Sequence, residues 1–111
     1  MPVQVYFGEG LGRYGFGAGH PFGTDRLDAF WHETVKQGLD RKVHIGVPVL
    51  GAETDLARFH TRNYIDRAKT LSARGGGFLD YGDTPAFPGV YEAASYVVGS
   101  SVDAIAQAMT G

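Results

Sequence analysis

Seven glycines and one proline fall between Gly8 and Gly23, and no other feature restricts the folding of this chain more. Glycine loses the most backbone entropy on ordering, so such a segment forms neither a helix nor a β-ladder cheaply. The expectation is a long loop, of the kind that usually carries function or moves. Ahead of it, Val3, Val5 and Phe7 alternate with Gln4 and Tyr6, which predicts a first strand.

Beyond the loop the apolar residues take up helical spacing. Asp25 is placed to cap a helix, with Asp28 three residues on, and Leu27, Phe30, Trp31 and Val35 share one face before Gly38 stops it. Val43, Ile45, Val47 and Val49 alternate as far as Gly51 and predict a second strand, although Pro48 has no amide to give a ladder. Strand, helix, strand is the pattern of a right-handed parallel crossover. Thr61 opens a further helix carrying Tyr64, Ile65, Ala68 and Leu71, ended by the glycines at 75 to 77. After a loop from Phe78 to Phe87, an apolar stripe from Val90 to Met109 predicts a last helix starting near Pro88, and Gly99 and Ser100 within it point to close packing on a neighbour. Two parallel strands alone are unusual, because parallel strands are normally covered on both faces. The chain therefore reads as an incomplete α/β layer in one domain, without internal repeats.

Composition excludes several function classes. Ten basic against twelve acidic residues give a net charge of −2, so no positive field exists to draw nucleic acid or anionic lipid. The absence of cysteine removes disulfides, thiolate metal ligands and a thiol nucleophile, and suits a reducing cytoplasm. No apolar run is long enough to span a membrane, and the start Met1-Pro2-Val3-Gln4 carries no basic leader, so neither a membrane anchor nor a cleaved signal is expected.

Several constellations invite a chemical reading. Gly10, Gly12 and Gly15 fit a Gly-x-Gly-x-x-Gly pattern, but Gly17, Gly19 and Pro21 follow at once and leave no helix N-terminus for a pyrophosphate. His20, His32, His44 and His60 share no spacing that sets two ligands on one face, so a metal site within the chain is not expected. Asp80 and Asp83 flank Tyr81-Gly82, where two carboxylates could act as acid and base, bind calcium or simply form a turn. Arg26 reads as a surface or ion-pairing arginine, and Ser100-Ser101 lack a nucleophile elbow.

Three stretches taken together are more specific: Gly19-His20-Pro21-Phe22 through Asp25-Arg26-Leu27, Phe59-His60-Thr61 with Tyr64-Ile65, and Gly82-Asp83-Thr84-Pro85-Ala86-Phe87 with Gly89 to Ala94. Their order and spacing resemble the beginning of the zinc-dependent deacetylases of the histone-deacetylase and acetoin-utilisation family, closest to the acetoin-utilisation subgroup. The resemblance implies an incomplete three-layer arginase-deacetylase fold, with parallel strands and flanking helices. It makes residues 1–111 the N-terminal part of a domain that hydrolyses acetyl-lysine or related N-acyl amines.

Residue by residue, the resemblance implies that Asp83 is the rim aspartate that hydrogen-bonds the backbone of the bound acyl-lysine. It implies that Arg26 lines an internal cavity associated with acetate passage, and that Tyr14, His20 and Pro21 belong to the loop walling that cavity. The family's zinc ligands and catalytic histidine pair have no counterpart here, so no cofactor is expected in this chain, zinc is expected in the complete domain, and the chain alone is expected to be inactive. The implied partners are the remaining portion of such a domain, or a second copy through open strand edges. The alternative reading is a non-catalytic binding or assembly module that has kept this fold and lost its chemistry.

Overall fold

The computed structural model describes residues 3–17 and 19–110. Met1, Pro2, Ala18 and Gly111 lie outside the described residues, and with them part of the reading of the chain's start.

The two alternating segments form strands that pair in parallel, β1 (Gln4–Tyr6) with β2 (His44–Gly46), in the register Gln4 to His44 and Tyr6 to Gly46. Both are shorter than their apolar alternation. Pro48 cannot donate to a ladder, and beyond Gly46 the chain leaves the sheet to lie on a helix instead, with Val47 left 76% exposed.

The glycine-rich segment departs from expectation, because it contains a short helix, α1 (Glu9–Gly12). An ion pair one turn apart, Glu9 to Arg13 at 2.8 Å, supports it. The first of its two glycines is used for close approach, since a Cβ on Gly10 would stand 3.0 Å from the Tyr96 ring. The next helix, α2 (Arg26–Lys36), ends at Gly38 as predicted, where φ is +70°, a conformation glycine adopts without strain. Asp25 makes no side-chain capping bond, so the expected capping box does not form. The packed stripe of α2 is also shifted. Trp31 stacks on Phe7 with centroids 4.3 Å apart and Thr34 is buried, whereas Phe30 and Val35 remain about half exposed.

A 3₁₀ turn, Leu39–Lys42, leads into β2, and a short helix α3 (Glu53–Leu56) follows it, which apolar spacing does not reveal. Helix α4 (Arg62–Arg74) begins as its sequence predicts, with Thr61 Oγ1 accepting the Tyr64 amide at 3.1 Å, and ends at Gly75 in the left-handed region. Glu53 of α3 ties the two helices together by pairing with both Arg62 and Lys69.

Helix α5 (Val90–Thr110) is the element on which the others rest. Its first turn is capped from outside: Ser72 of α4, itself buried, accepts the Tyr91 amide on Oγ at 3.0 Å and the Gly89 amide on its carbonyl at 3.3 Å. Midway, the chain at 49–51 lies directly on the helix. The Gly51 amide donates to the Ser95 carbonyl at 2.8 Å, the Val49 amide donates to Ser100 Oγ at 3.0 Å, and Gly99 is buried beneath them. The close packing expected of Gly99 and Ser100 is therefore present. Farther along, Tyr6 of β1 donates a short hydrogen bond to Asp103.

The core cluster of Leu71, Ala86 and Val90 sits where α4, the 78–87 loop and α5 meet, with Tyr14, Leu79 and Phe87 packed against it. The molecule is a slab of 41 × 34 × 19 Å with a radius of gyration of 15.5 Å, where a well-packed domain of this length has about 13 Å. Val102, Ile105 and Met109, the apolar residues of the second half of α5, are 45 to 83% exposed.

A Cβ on Gly99 would overlap the Val49 carbonyl oxygen and stand 2.6 Å from the Leu50 carbonyl carbon, so Gly99→Ala has to push segment 49–51 off the helix. The expected cost is about 2 to 3 kcal/mol in urea unfolding. Gly76→Ala meets nothing within 4 Å, and is expected to be neutral or to stabilise by about 0.5 kcal/mol. Equal stability of the two variants would contradict the close contact.

Candidate functional site

One carboxylate builds the loop at 78–87. Asp80 Oδ1 accepts the amides of Gly82 at 3.0 Å, Asp83 at 3.0 Å and Thr84 at 2.8 Å, and its Oδ2 accepts the Thr84 hydroxyl at 2.8 Å. These donors, the Thr84 amide foremost, hold the Asp80 carboxyl down from 3.8 to about 2. The loop is closed below by Leu79 N–H to the Thr84 carbonyl and Ala86 N–H to the Gly77 carbonyl, each at 2.8 Å, and Arg67 donates to the Phe78 carbonyl at 2.7 Å. The two aspartates of the sequence motif thus divide the work. Asp80 spends its acceptors on the backbone, whereas the Asp83 side chain is 96% exposed.

The glycine-rich loop reaches this rim through His20. Its Nδ1 accepts the Phe22 amide at 3.0 Å, and its Nε2 lies 2.9 Å from the Asp83 carbonyl oxygen. A nitrogen that accepts carries no proton, so the hydrogen-bond network assigns the proton to Nε2, which donates to Asp83. The Phe16 ring meets the imidazole edge-on at 4.9 Å, and the Phe16 amide donates to the Phe22 carbonyl at 2.9 Å, which narrows the loop beneath His20. Pro21 is exposed beside it.

Tyr14 is half-buried, and Arg26 is exposed at the start of α2. The Tyr14 ring makes edge contacts with Phe16, Phe22 and Phe87 at centroid distances of 5.3, 5.6 and 6.3 Å, and burial pushes its hydroxyl pKa up. The Arg26 guanidinium sits 4.0 Å from the Phe22 ring centroid, a cation–π contact. Both residues line a cavity of about 700 Å³ between α1, α2 and α5, open to solvent, walled by apolar residues such as Leu11, Leu27, Phe30 and Val98. Arg26 is its one charged lining residue among those described, so a small anion entering it would meet a single cation in an apolar wall. A second cavity of about 190 Å³ lies on the α4 side and shares Tyr14, Ala94 and Val98 with the first; its rim includes His60, stacked on Tyr64 at 5.0 Å.

The structure therefore sorts the five candidate residues into two groups. His20 and Asp83 meet at the outer rim, 63 positions apart in sequence, with Pro21 alongside, while Tyr14 and Arg26 share the open cavity between α1, α2 and α5, which His20 and Pro21 do not line. Phe22 and Phe87, which sequence reasoning did not single out as site residues, connect the groups through Tyr14.

Zinc, implied by the resemblance, finds no fit in these residues. Among the described residues no three histidine, aspartate or glutamate side chains converge, both His20 nitrogens are engaged, and the Asp80 carboxylate already accepts four hydrogen bonds.

Comparison with known proteins adds an independent finding. The histone deacetylase domain family matches the chain over residues 20–111. Histone deacetylase clr6 of Schizosaccharomyces pombe is 27% identical over 98% of this chain and 29% of its own length. For histone deacetylase RPD3 of Saccharomyces cerevisiae the identity is 26%, over 98% of this chain and 27% of the relative. Histone deacetylase 6 of Arabidopsis thaliana is also 26% identical, over 92% and 24% respectively. The chain spans less than a third of the length of each.

The Asp80 network makes a pH-dependent prediction. Its carboxyl has a lower pKa folded than unfolded, so its contribution to stability is complete above the ordinary value of 3.8 and is lost as pH falls toward about 2. Asp80→Asn cannot ionise. The urea midpoint of the native protein should exceed that of Asp80→Asn near neutral pH, with the gap closing between about pH 4 and pH 2. A gap that is constant across this range would rule out the charged carboxylate as the organiser of the loop.

Proposed function

The chain belongs to the histone deacetylase family, and from that premise we propose that it forms the N-terminal portion of a zinc-dependent deacetylase domain that hydrolyses the amide of acetyl-lysine or a related N-acyl amine. The observation that carries this reading is the rim: a loop fixed by four hydrogen bonds to Asp80 sets one exposed carboxylate, Asp83, at the edge of an aromatic wall. A carboxylate so placed accepts the backbone amides of an extended substrate and orients its acylated side chain. Arg26 and Tyr14, facing one cavity, are suited to the released acetate: the guanidinium supplies the charge and the apolar wall leaves it the one cationic contact there among the described residues. His20 and Pro21 shape the loop between the rim and that cavity.

In this proposal the metal ligands and the acid–base pair come from sequence outside these 111 residues. The same sequence covers the open strand edges and the apolar half of α5. The substrate class is the one the family resemblance implies, acetyl-lysine or a related N-acyl amine, and a cysteine-free chain of this kind suits the cytoplasm. Among the described residues no helix is long and apolar enough to cross a membrane.

One observation favours the second reading, a non-catalytic assembly module: Val3, Val47, Ile105 and Met109 are each more than 60% exposed, and uncovered apolar surface of this kind attracts a partner. That reading expects a monodisperse dimer of the 111-residue chain by light scattering, whereas a portion of a larger domain stays monomeric or polydisperse.

Two measurements test the main proposal. Purified chain supplied with zinc and an acetyl-lysine peptide is expected to release no acetate, and sustained zinc-dependent release would overturn the assignment of the metal site to other sequence. In the deacetylase domain carrying this segment, Asp83→Ala is expected to raise KM about tenfold to a hundredfold, the loss of charge-assisted hydrogen bonds to substrate amides. An unchanged KM would remove Asp83 from substrate binding.

A further inference from the structure

Asp83 is held by its backbone from both sides. Its amide donates to Asp80 Oδ1 at 3.0 Å, and its carbonyl oxygen accepts from His20 Nε2 at 2.9 Å. The first hydrogen bond is local to the loop. The second comes from the glycine-rich segment, and among the described residues it is the hydrogen bond that links the two loops; ring edges also meet there, Tyr14 to Phe87 at 6.3 Å and Phe16 to Phe87 at 6.1 Å. Aromatic edges set a separation but tolerate sliding, whereas a hydrogen bond to a carbonyl fixes direction as well.

The imidazole is itself fixed. Its Nδ1 accepts the Phe22 amide and Phe16 packs on its edge, so the ring is locked before Nε2 reaches the rim. This arrangement needs an acceptor and a donor on opposite sides of one rigid ring, which neutral histidine provides in the Nε2–H tautomer. The Nε2 atom lies 3.9 Å from Asp83 Oδ1, beyond hydrogen-bonding distance, so His20 acts on the peptide unit and leaves the carboxylate free for another partner.

We infer that His20 is a positioning residue for Asp83: it sets the direction in which the exposed carboxylate points by gripping the carbonyl of the same residue. The inference rests on the reading of Asp83 as the substrate-orienting group. It gives His20 a role at the rim, distinct from walling the cavity that Tyr14 and Arg26 line.

The experiment has two arms that fail separately. In the 111-residue chain, long-range proton–nitrogen NMR reads the His20 tautomer directly; Nε2–H is expected, and His20→Phe, which keeps a ring against Phe16, should shift the amide signals of the residues around Asp83. An Nδ1–H tautomer, or unmoved amide signals in the variant, would overturn the inference.

In the deacetylase domain carrying this segment, His20→Phe is expected to raise KM for an acetyl-lysine peptide about five- to tenfold while kcat changes less than about twofold, the scale of one hydrogen bond. His20→Gln, which can still donate to the carbonyl, should recover most of the loss, and in an Asp83→Ala background His20→Phe should add nothing further. An unchanged KM in His20→Phe, or an equal loss in the Asp83→Ala background, would overturn it. A domain that turns over no acetylated substrate at all would instead sink the proposed function, with the tautomer and amide signals still deciding whether His20 grips Asp83.

Discussion

The backbone of residues 49–51 lies against the backbone of α5, with Gly99 at the point of contact and the Ser95 carbonyl and Ser100 hydroxyl receiving the two amides. Only a position without a Cβ lets two main chains approach so closely, and the amides that would be orphaned by leaving the sheet after Gly46 are satisfied there. β2 is consequently brief, and the chain is delivered to α3 beside the same helix. Along α5, Tyr96 receives α1 through Gly10 and the first turn receives Ser72 of α4. The helix is a spine on which the remaining elements are hung by polar groups and small residues, with little apolar burial to share.

This division explains which parts of the architecture could be read from residues alone. Features decided within one turn were legible: Thr61 capping three positions on, and Gly38 and Gly75 ending their helices in the left-handed region. Features decided by distant partners were not. Phe30 and Val35 continue the apolar pattern of α2, but the stripe that packs is set by Phe7 and the helix rotates to present Trp31. α1 exists because a neighbouring helix offers Tyr96 and Glu9 finds Arg13, neither of which a glycine count reveals. Pro48 did foretell a limit to its strand, and the structure places the exit even earlier.

The candidate site shows the same split. Turn chemistry was readable in Asp80, and family resemblance pointed to Asp83, yet their opposite fates follow from the three-dimensional path: one carboxylate is consumed by the loop it shapes and the other is left outside. That His20 would meet the Asp83 carbonyl 63 positions away had no local signal. Arg26 read as a surface cation and is exposed, but its contact with Phe22, made where the glycine-rich segment brings the ring against it, had no local signal.

The family match begins at residue 20, but the molecule does not divide there. Tyr14 stands at the seam of two cavities, and β1 is the neighbour to which β2 is paired. An expression boundary drawn at the edge of the match would leave Phe87 and Phe22 facing water where a ring had been, strip β2 of its ladder, and take away Phe7, the stacking partner of Trp31. Residues 3–17 are thus packed into the same unit as the matched segment.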